Sequence, residues 1–187
     1  MLIDLTLKIT PNMIVDAQGN EKKALTGHLG THFDVMNKEF PLEYTQRAGI
    51  VFDVSQVKDR EICSADIDLD AVQSNMFVAF YSGFMEQEPY GSAVYFKEHP
   101  QLSDELIDQL LDKQISIIGV DFAGVRRSNE HTPKDQYCAD RGVFIIENLC
   151  HLEQILVYGN LFKANTYPMH FSEMTGLPCR VVAEIAE

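Results

Sequence analysis

The sequence predicts a mixed α/β domain, and three observations carry that expectation. Continuous apolar runs at Gly49–Val54 (GIVFDV) and Met76–Tyr81 (MFVAFY) suit strands covered on both faces. Helical periodicity falls late in the chain, where it is opened by residues that cap helices well. No low-complexity tract, internal repeat or Pro/Gly/Ser-rich linker interrupts the 187 residues. One domain over residues 1–187, long enough to bury a substantial core, is therefore the simplest organisation.

In chain order, Leu2 to Lys8 alternate as a strand and Pro11-Asn12 turn the chain. Ala24 to Met36 read as extended structure interrupted by Gly27 and Gly30. The two apolar strands follow, and the second ends at Ser82-Gly83. Ser103 is the expected N-cap of a helix opened by Asp104 and Glu105, whose carboxylates suit the positive helix end. Leu106, Ile107, Leu110 and Leu111 form its apolar stripe. That helix leads into a strand at Ile115–Phe122. Thr132 is expected as the N-cap of a short helix with Pro133 at its first position, closed by Gly142. Strands at Val143–Ile146 and Arg180–Ile185 complete the set, so strands outnumber helices.

Composition narrows the function. Apolar residues make up 45% and aromatic residues 10%, as in globular proteins. No apolar run approaches the roughly 18 residues of a membrane span. The opening MLIDLTLKIT carries Asp4 and no basic start, so no signal peptide is expected. With 28 acidic against 15 basic residues the net charge is −13, which repels nucleic acid and anionic bilayers. The densest basic spots, Lys22-Lys23 and Arg126-Arg127, are too short to override it. A divalent cation, by contrast, suits an acidic protein. Cys63, Cys138, Cys150 and Cys179 form no CxxC pair, which argues against a disulfide scaffold or zinc ribbon and for reduced thiols in a cytoplasmic protein.

The sharpest local signal is His28-Leu-Gly-Thr-His32-Phe-Asp34. In extended chain His28, Gly30, His32 and Asp34 share one face, while Leu29, Thr31, Phe33 and Val35 turn towards apolar packing. Two imidazoles and a carboxylate make a mixed ligand set suited to zinc or manganese. A flat strand would hold positions four apart at roughly 13 Å, whereas metal–ligand bonds are about 2.1 Å. The two imidazoles meet only if the backbone bends between them, and Gly30 stands at the midpoint, where a kink costs least. A single His is more often a hydrogen-bonded residue than a ligand. Two His and an Asp around a glycine are harder to explain that way.

These residues resemble the signature of the cyclase family that includes bacterial kynurenine formamidase and isatin hydrolase. The resemblance extends in family order along nearly the whole chain. It takes in Ile3-Asp4-Leu5-Thr6 with Asn12-Met13, Val78–Phe84 (VAFYSGF), Gly119-Val-Asp121, Ile145-Ile146-Glu147-Asn148-Leu149 and Gly176-Leu-Pro178-Cys-Arg180. It implies a swivelling β/β/α fold, a homodimer or homotetramer, and one or two Zn2+ or Mn2+ ions beside a cleft. By the same resemblance His28, His32 and Asp34 are metal ligands, completed by a later His and Glu. Glu147 matches that Glu, although the end of an apolar strand is also a place for a solvated carboxylate. The matching His position falls on or near Asp135.

Here the chain departs from the family pattern. Asp135 is either a ligand or, as third residue of a helix capped by Thr132, a partner of the helix start. His131 lies just ahead of that helix and is the weaker candidate. Cys138 on the same helix reads as a core residue or a soft ligand. The family pattern Asp-x-Pro-x-His also changes, to Asp34-Val-Met36-Asn-Lys38. Lys38 thus stands where the family has a proton-transferring His. A lysine acting as base near neutral pH needs its pKa lowered by about three units from about 10.4. Charge stabilisation of an anion and simple solvation beside Glu39 are the other readings. The remaining histidines say less: His99 is expected in a loop, His151 at the surface, and His170 in the core or lining the cleft.

Two function classes follow. The first is a metal-dependent hydrolase of a small amide, of the formamide or lactam class, using metal-activated water with Lys38 as the catalytic residue. The second is a non-catalytic or altered-chemistry member of the fold that binds a small molecule, a lyase-type step run by Lys38 included.

Overall fold

The architecture follows from how eight strands share their edges. In the computed structural model, which describes residues 1–21, 23 and 26–186, the strands are β1 (Leu2–Asp4), β2 (His32–Asp34), β3 (Gln46–Asp53), β4 (Phe77–Tyr81), β5 (Ile117–Val120), β6 (Phe144–Glu147), β7 (Leu161–Pro168) and β8 (Gly176–Glu184). They run β8-β2-β6-β5-β4-β3-β7, and β7 pairs back onto β8, closing a seven-stranded barrel with β1 added on β8. The stretch β3-β4-β5-β6 is parallel, while β2 and β7 are antiparallel to both neighbours.

Closure explains the unbroken apolar runs. One face of the strands gives Phe33, Val51, Phe77, Ile117, Phe144, Phe162 and Val181, drawn from every barrel strand, as a single interior cluster. The opposite face of the parallel strands gives Ile50, Val78, Phe80, Ile118, Val120 and Ile145, which pack in a second cluster with Leu106, Ile107, Leu110 and Leu111. Each of these parallel strands is therefore buried on both faces along its centre and needs apolar residues in succession.

The helices are α1 (Pro11–Ala17), α2 (Phe84–Gln87), α3 (Ala93–Glu98), α4 (Asp104–Asp112), α5 (His131–Ala139) and α6 (Leu152–Leu156). Ser103 caps α4 as expected, its hydroxyl accepting the Leu106 N–H at 3.1 Å. Three expectations need correction. Pro11-Asn12 start α1 rather than a turn, because Thr10 accepts the Met13 N–H and Pro11 supplies a helical φ where no donor is needed. Helix α5 begins at His131, so Thr132 lies inside it and is not its N-cap. Leu161–Pro168 is a full strand that sequence reading passes over. Its inward positions are Phe162, Ala164 and Thr166, a small and partly polar set that makes a weak alternation.

The segment expected to be extended from Ala24 to Met36 is strand only at His32–Asp34. Ala24 and Leu25, like Lys22 of the first basic pair, lie outside the described residues. Between residues 26 and 31 the chain bends, with Gly27 at φ +85° and Gly30 at φ +68°. Among the described residues no helix is long and apolar enough to cross a membrane. All four cysteines are free.

Candidate metal centre

Register brings the first pair of residues together. Antiparallel pairing of β2 with β6 sets His32 directly opposite Glu147. Phe33 points into the barrel, so His32 and Asp34 on either side of it point outwards. The left-handed turn at Gly30 then folds His28 back over the strand, since only glycine takes such a φ freely. That turn is fastened at three points. The Gly30 N–H donates to Tyr90 Oη at 3.0 Å, and the Gly30 carbonyl accepts from Asn148 Nδ2 at 2.9 Å and His32 Nδ1 at 2.8 Å.

These bonds decide which ring nitrogens are left for a ligand. With its Nδ1 on the Gly30 carbonyl, His32 turns Nε2 into the site, the nitrogen open to a cation once it has given up its proton. His28 places Nε2 2.9 Å from Thr175 Oγ1, which leaves Nδ1 facing inwards. His28 Nδ1 lies 3.1 Å from His32 Nε2 and 3.0 Å from Asp34 Oδ1, and His32 Nε2 lies 3.7 Å from that same oxygen. Four-coordinate bonds of about 2.1 Å hold ligand atoms about 3.4 Å apart, so the three separations fit one shared cation. Asp34 is 1% exposed, and neither of its oxygens accepts a well-formed hydrogen bond among the described residues. A carboxylate buried in this way is costly unless a cation completes it.

Charge in the cluster follows from these contacts. Burial alone would raise the Asp34 carboxyl, but the imidazoles of His32 and His28 outweigh it and hold it far below the usual carboxylate range. Burial likewise opposes a charged His32, yet the Asp34 carboxylate beside it keeps the imidazole pKa above its ordinary value.

A second group adjoins the first. His131 Nε2 stands 3.2 Å from Asp135 Oδ2 and 3.4 Å from Glu147 Oε1, while Glu147 Oε2 is 3.7 Å from His32 Nε2. Asp135 and Glu147 are 2% and 4% exposed, which removes the reading of Glu147 as a solvated strand end. Asp135 is the fifth residue of α5 rather than the third, which removes its helix-capping reading. His28, His32, Asp34, Asp135 and Glu147 therefore meet in one region, together with His131.

The cleft above them has a volume of about 490 Å³, and its other walls include Lys23, Met36, Tyr90, Phe96 and Thr175. Lys23 Nζ sits 4.7 Å from the Phe96 ring centre and 5.4 Å from that of Tyr90. Burial raises the Tyr90 hydroxyl pKa, against the Gly30 N–H that it accepts. Tyr90, Lys23 and Thr175 were not foreseen, because nothing in their local sequence marks them and they reach the cleft only through the fold.

Lys38 is not among the cleft residues. Its Nζ pairs with Asp140 Oδ1 at 2.7 Å on a half-exposed surface, and it lines a neighbouring cavity with Phe40, Tyr167 and Met174. Met36 has φ 57°, a conformation closed to proline, so the chain beyond Asp34 cannot follow the path a proline there would impose. His170 is exposed and borders that same neighbouring cavity, contrary to the core position expected. His151 is at the surface, and His99 is buried beside Pro100 after α3. Cys138 is fully buried and burial pushes its thiol up to about 12, so it is a core residue.

Comparison with known proteins agrees with this architecture. The family model described as putative cyclase matches residues 3–126. A solved structure of a potential metal-dependent hydrolase with cyclase activity is 25% identical, covering 98% of this chain and 96% of its own, at TM-score 0.75. A predicted metal-dependent hydrolase from Bacillus stearothermophilus is 22% identical over 98% and 97% of the two chains, at TM-score 0.73. Isatin hydrolase A from Labrenzia aggregata is 18% identical over 100% and 94%, at TM-score 0.75. No curated protein sequence matches the chain.

Proposed function

The chain belongs to the putative cyclase family, and from that premise we propose that it is a metal-dependent hydrolase of a small amide, of the formamide or lactam class. The observation that carries the proposal is the meeting of His28 Nδ1, His32 Nε2 and Asp34 Oδ1 at separations of 3.0 to 3.7 Å around a buried carboxylate. These residues, with Asp135 and Glu147 beside them, hold Zn2+ or Mn2+. Bound there, the cation supplies Lewis acidity towards a carbonyl and lowers the pKa of water towards about 7.

The chain's own groups do the rest. Gly30 and Thr175 fix the two imidazole rings through His32 Nδ1 and His28 Nε2, so the nitrogens facing the cleft are set before substrate arrives. Tyr90 accepts the Gly30 N–H, which leaves its own O–H to donate towards the cleft. A phenol with an ordinary pKa of about 10 already keeps that proton at neutral pH, where it can hydrogen-bond a developing oxyanion. Met36, Phe96 and Ala123 give the cleft apolar walls that exclude water from a planar amide. Lys23 sets a positive charge beside those walls, where the carboxylate released by amide hydrolysis is met. Lys38 has no part in this scheme, since Asp140 holds it outside the cleft.

The test is turnover of a formanilide and lactam panel by metal-loaded protein against a chelator-stripped control. Activity that appears with Zn2+ or Mn2+ and vanishes with chelation supports the proposal; equal rates in both samples refute it. The position of Lys38 favours one second reading, a member that keeps the ion and binds its ligand without turnover. In that case metal content and ligand-induced thermal shifts persist with no hydrolysis of any panel member.

A further inference from the structure

Two cavities meet at one residue. The cleft over the histidines, about 490 Å³, and the neighbouring cavity, about 670 Å³, share Met36 and, among the described residues, no other lining residue. Each volume is within the roughly 300–1,000 Å³ of a small-molecule site. We propose that the neighbouring cavity is an arm of the cleft, which takes an apolar aryl or alkyl substituent of the amide substrate, and that Met36 is the movable partition the substituent passes. The proposal rests on the reading of the cleft as an amide hydrolase site. It narrows the substrate from any small amide to one carrying an extended apolar arm.

The backbone of the partition is pinned, and its side chains are not. The N–H groups of Val35 and Met36 both donate to the Thr175 carbonyl, at 2.9 and 3.0 Å, and the Lys38 N–H donates to the Val35 carbonyl at 3.0 Å. These bonds hold Met36 at φ 57°, a conformation that is costly for a residue with a Cβ and persists only where the surroundings enforce it. Residues 35–36 and 174–175 thus form one wall. Thr175 lines the cleft side, where it fixes His28, and Met174 lines the other. Met36 and Met174 are both half-buried. Their unbranched thioether chains rotate and repack at little cost, so a ligand can displace them without moving the tied backbone.

The neighbouring cavity suits an apolar group. Its floor is Val35 and Leu177, which are 2% and 5% exposed, and Phe40, Phe171 and Met174 stand around it. Its charged groups lie at the exposed rim, and the lysine among them, Lys38, is held by Asp140 at 2.7 Å. The buried imidazoles and carboxylates are on the far side of Met36, in the cleft. A molecule with a polar amide head and an apolar arm matches the two spaces taken together.

The experiment measures kcat/KM of metal-loaded protein for 4-alkylformanilides from methyl to octyl. In parallel, it measures Kd for 4-alkylbenzohydroxamates, which bind metal without turnover. Each methylene that enters the second cavity should improve either constant about three- to fourfold, or about 100-fold over four. Met36→Gly removes the partition, so the rise should begin at shorter arms. Met174→Trp fills the second cavity and should cancel the rise, read as the ratio of octyl to methyl. Circular dichroism and metal content of each variant separate loss of the arm site from loss of the fold. Turnover of formanilides with no dependence on arm length overturns the arm and leaves the hydrolase reading intact, as does a rise that Met174→Trp does not diminish. No turnover, with a rise in hydroxamate affinity that Met174→Trp cancels, supports the arm and overturns the hydrolase reading. A flat series in wild type, together with a lower assembly mass by light scattering in Leu42→Glu at the rim, gives the cavity to a second copy of the chain and overturns the arm.

Discussion

Replacing His32 by alanine isolates the link between the kinked strand and the ion. The substitution removes one of three converging donors and the Nδ1–H bond to the Gly30 carbonyl. That carbonyl keeps its bond from Asn148 Nδ2 at 2.9 Å, so it is not orphaned. The metal-free variant should therefore lose only about 1–3 kcal/mol, from one hydrogen bond and a small cavity. The larger effect appears with metal. A cation at 100 times its Kd stabilises the folded protein by about 2.7 kcal/mol. For a chain of 187 residues each kcal/mol raises Tm by about 2–4 °C, so wild type should gain about 5–10 °C. With one donor gone, His32→Ala should gain almost nothing at that concentration. Differential scanning fluorimetry across Zn2+ and Mn2+ titrations, each against a chelator, reads both numbers. Equal melting temperatures for wild type with and without saturating cation would refute the reasoning, as would an undiminished shift in the variant.

Further outcomes follow from the same geometry. Lys38→Ala should leave turnover and metal content unaltered, because its partner is Asp140 outside the cleft; a large fall in turnover would return Lys38 to the chemistry. Tyr90→Phe should lower turnover by about 100-fold with most of the metal retained, since it removes the O–H and the acceptor of the Gly30 N–H while the Gly30 carbonyl keeps its bonds from Asn148 and His32; unaltered turnover would remove Tyr90 from proton donation. Asp121 gives a pH test away from the metal. Burial pushes its carboxyl up to about 6, against the Ser82 hydroxyl and the N–H groups of Ser82 and Gly83 that favour its charged form. The folded state holds that proton more tightly than the unfolded chain, with its value near 3.8, so stability falls as pH rises between those values. The full loss, about 3 kcal/mol, is reached above the upper value, and Asp121→Asn should flatten the slope in denaturant melts. A wild-type stability that stays flat over that window would sink this account.

Local chemistry made much of the fold legible. Unbroken apolar runs marked β3, β4 and β5 because both faces of a barrel wall are buried, and Ser103 with its leucine stripe marked α4 because caps and periodicity are local signals. Strand β7 was not legible, since its inward Ala164 and Thr166 are acceptable only where the closed barrel leaves little room. In the candidate site, His28, His32 and Asp34 could be read from seven consecutive residues, and Gly30 announced the kink their meeting requires.

What the sequence alone determined was that three-donor motif, because spacing along one strand and the tolerance of one glycine are properties of a short segment. The tertiary structure decided the rest. Whether Glu147 stands beside His32 depends on the register of β2 against β6, and whether His131 reaches Asp135 depends on where α5 starts. Whether Lys38 enters the cleft depends on a left-handed residue at Met36 and on Asp140, far away in sequence. The His32–Glu147 and Lys38–Asp140 contacts join segments more than a hundred residues apart, and their distances are fixed by barrel closure rather than by any local pattern.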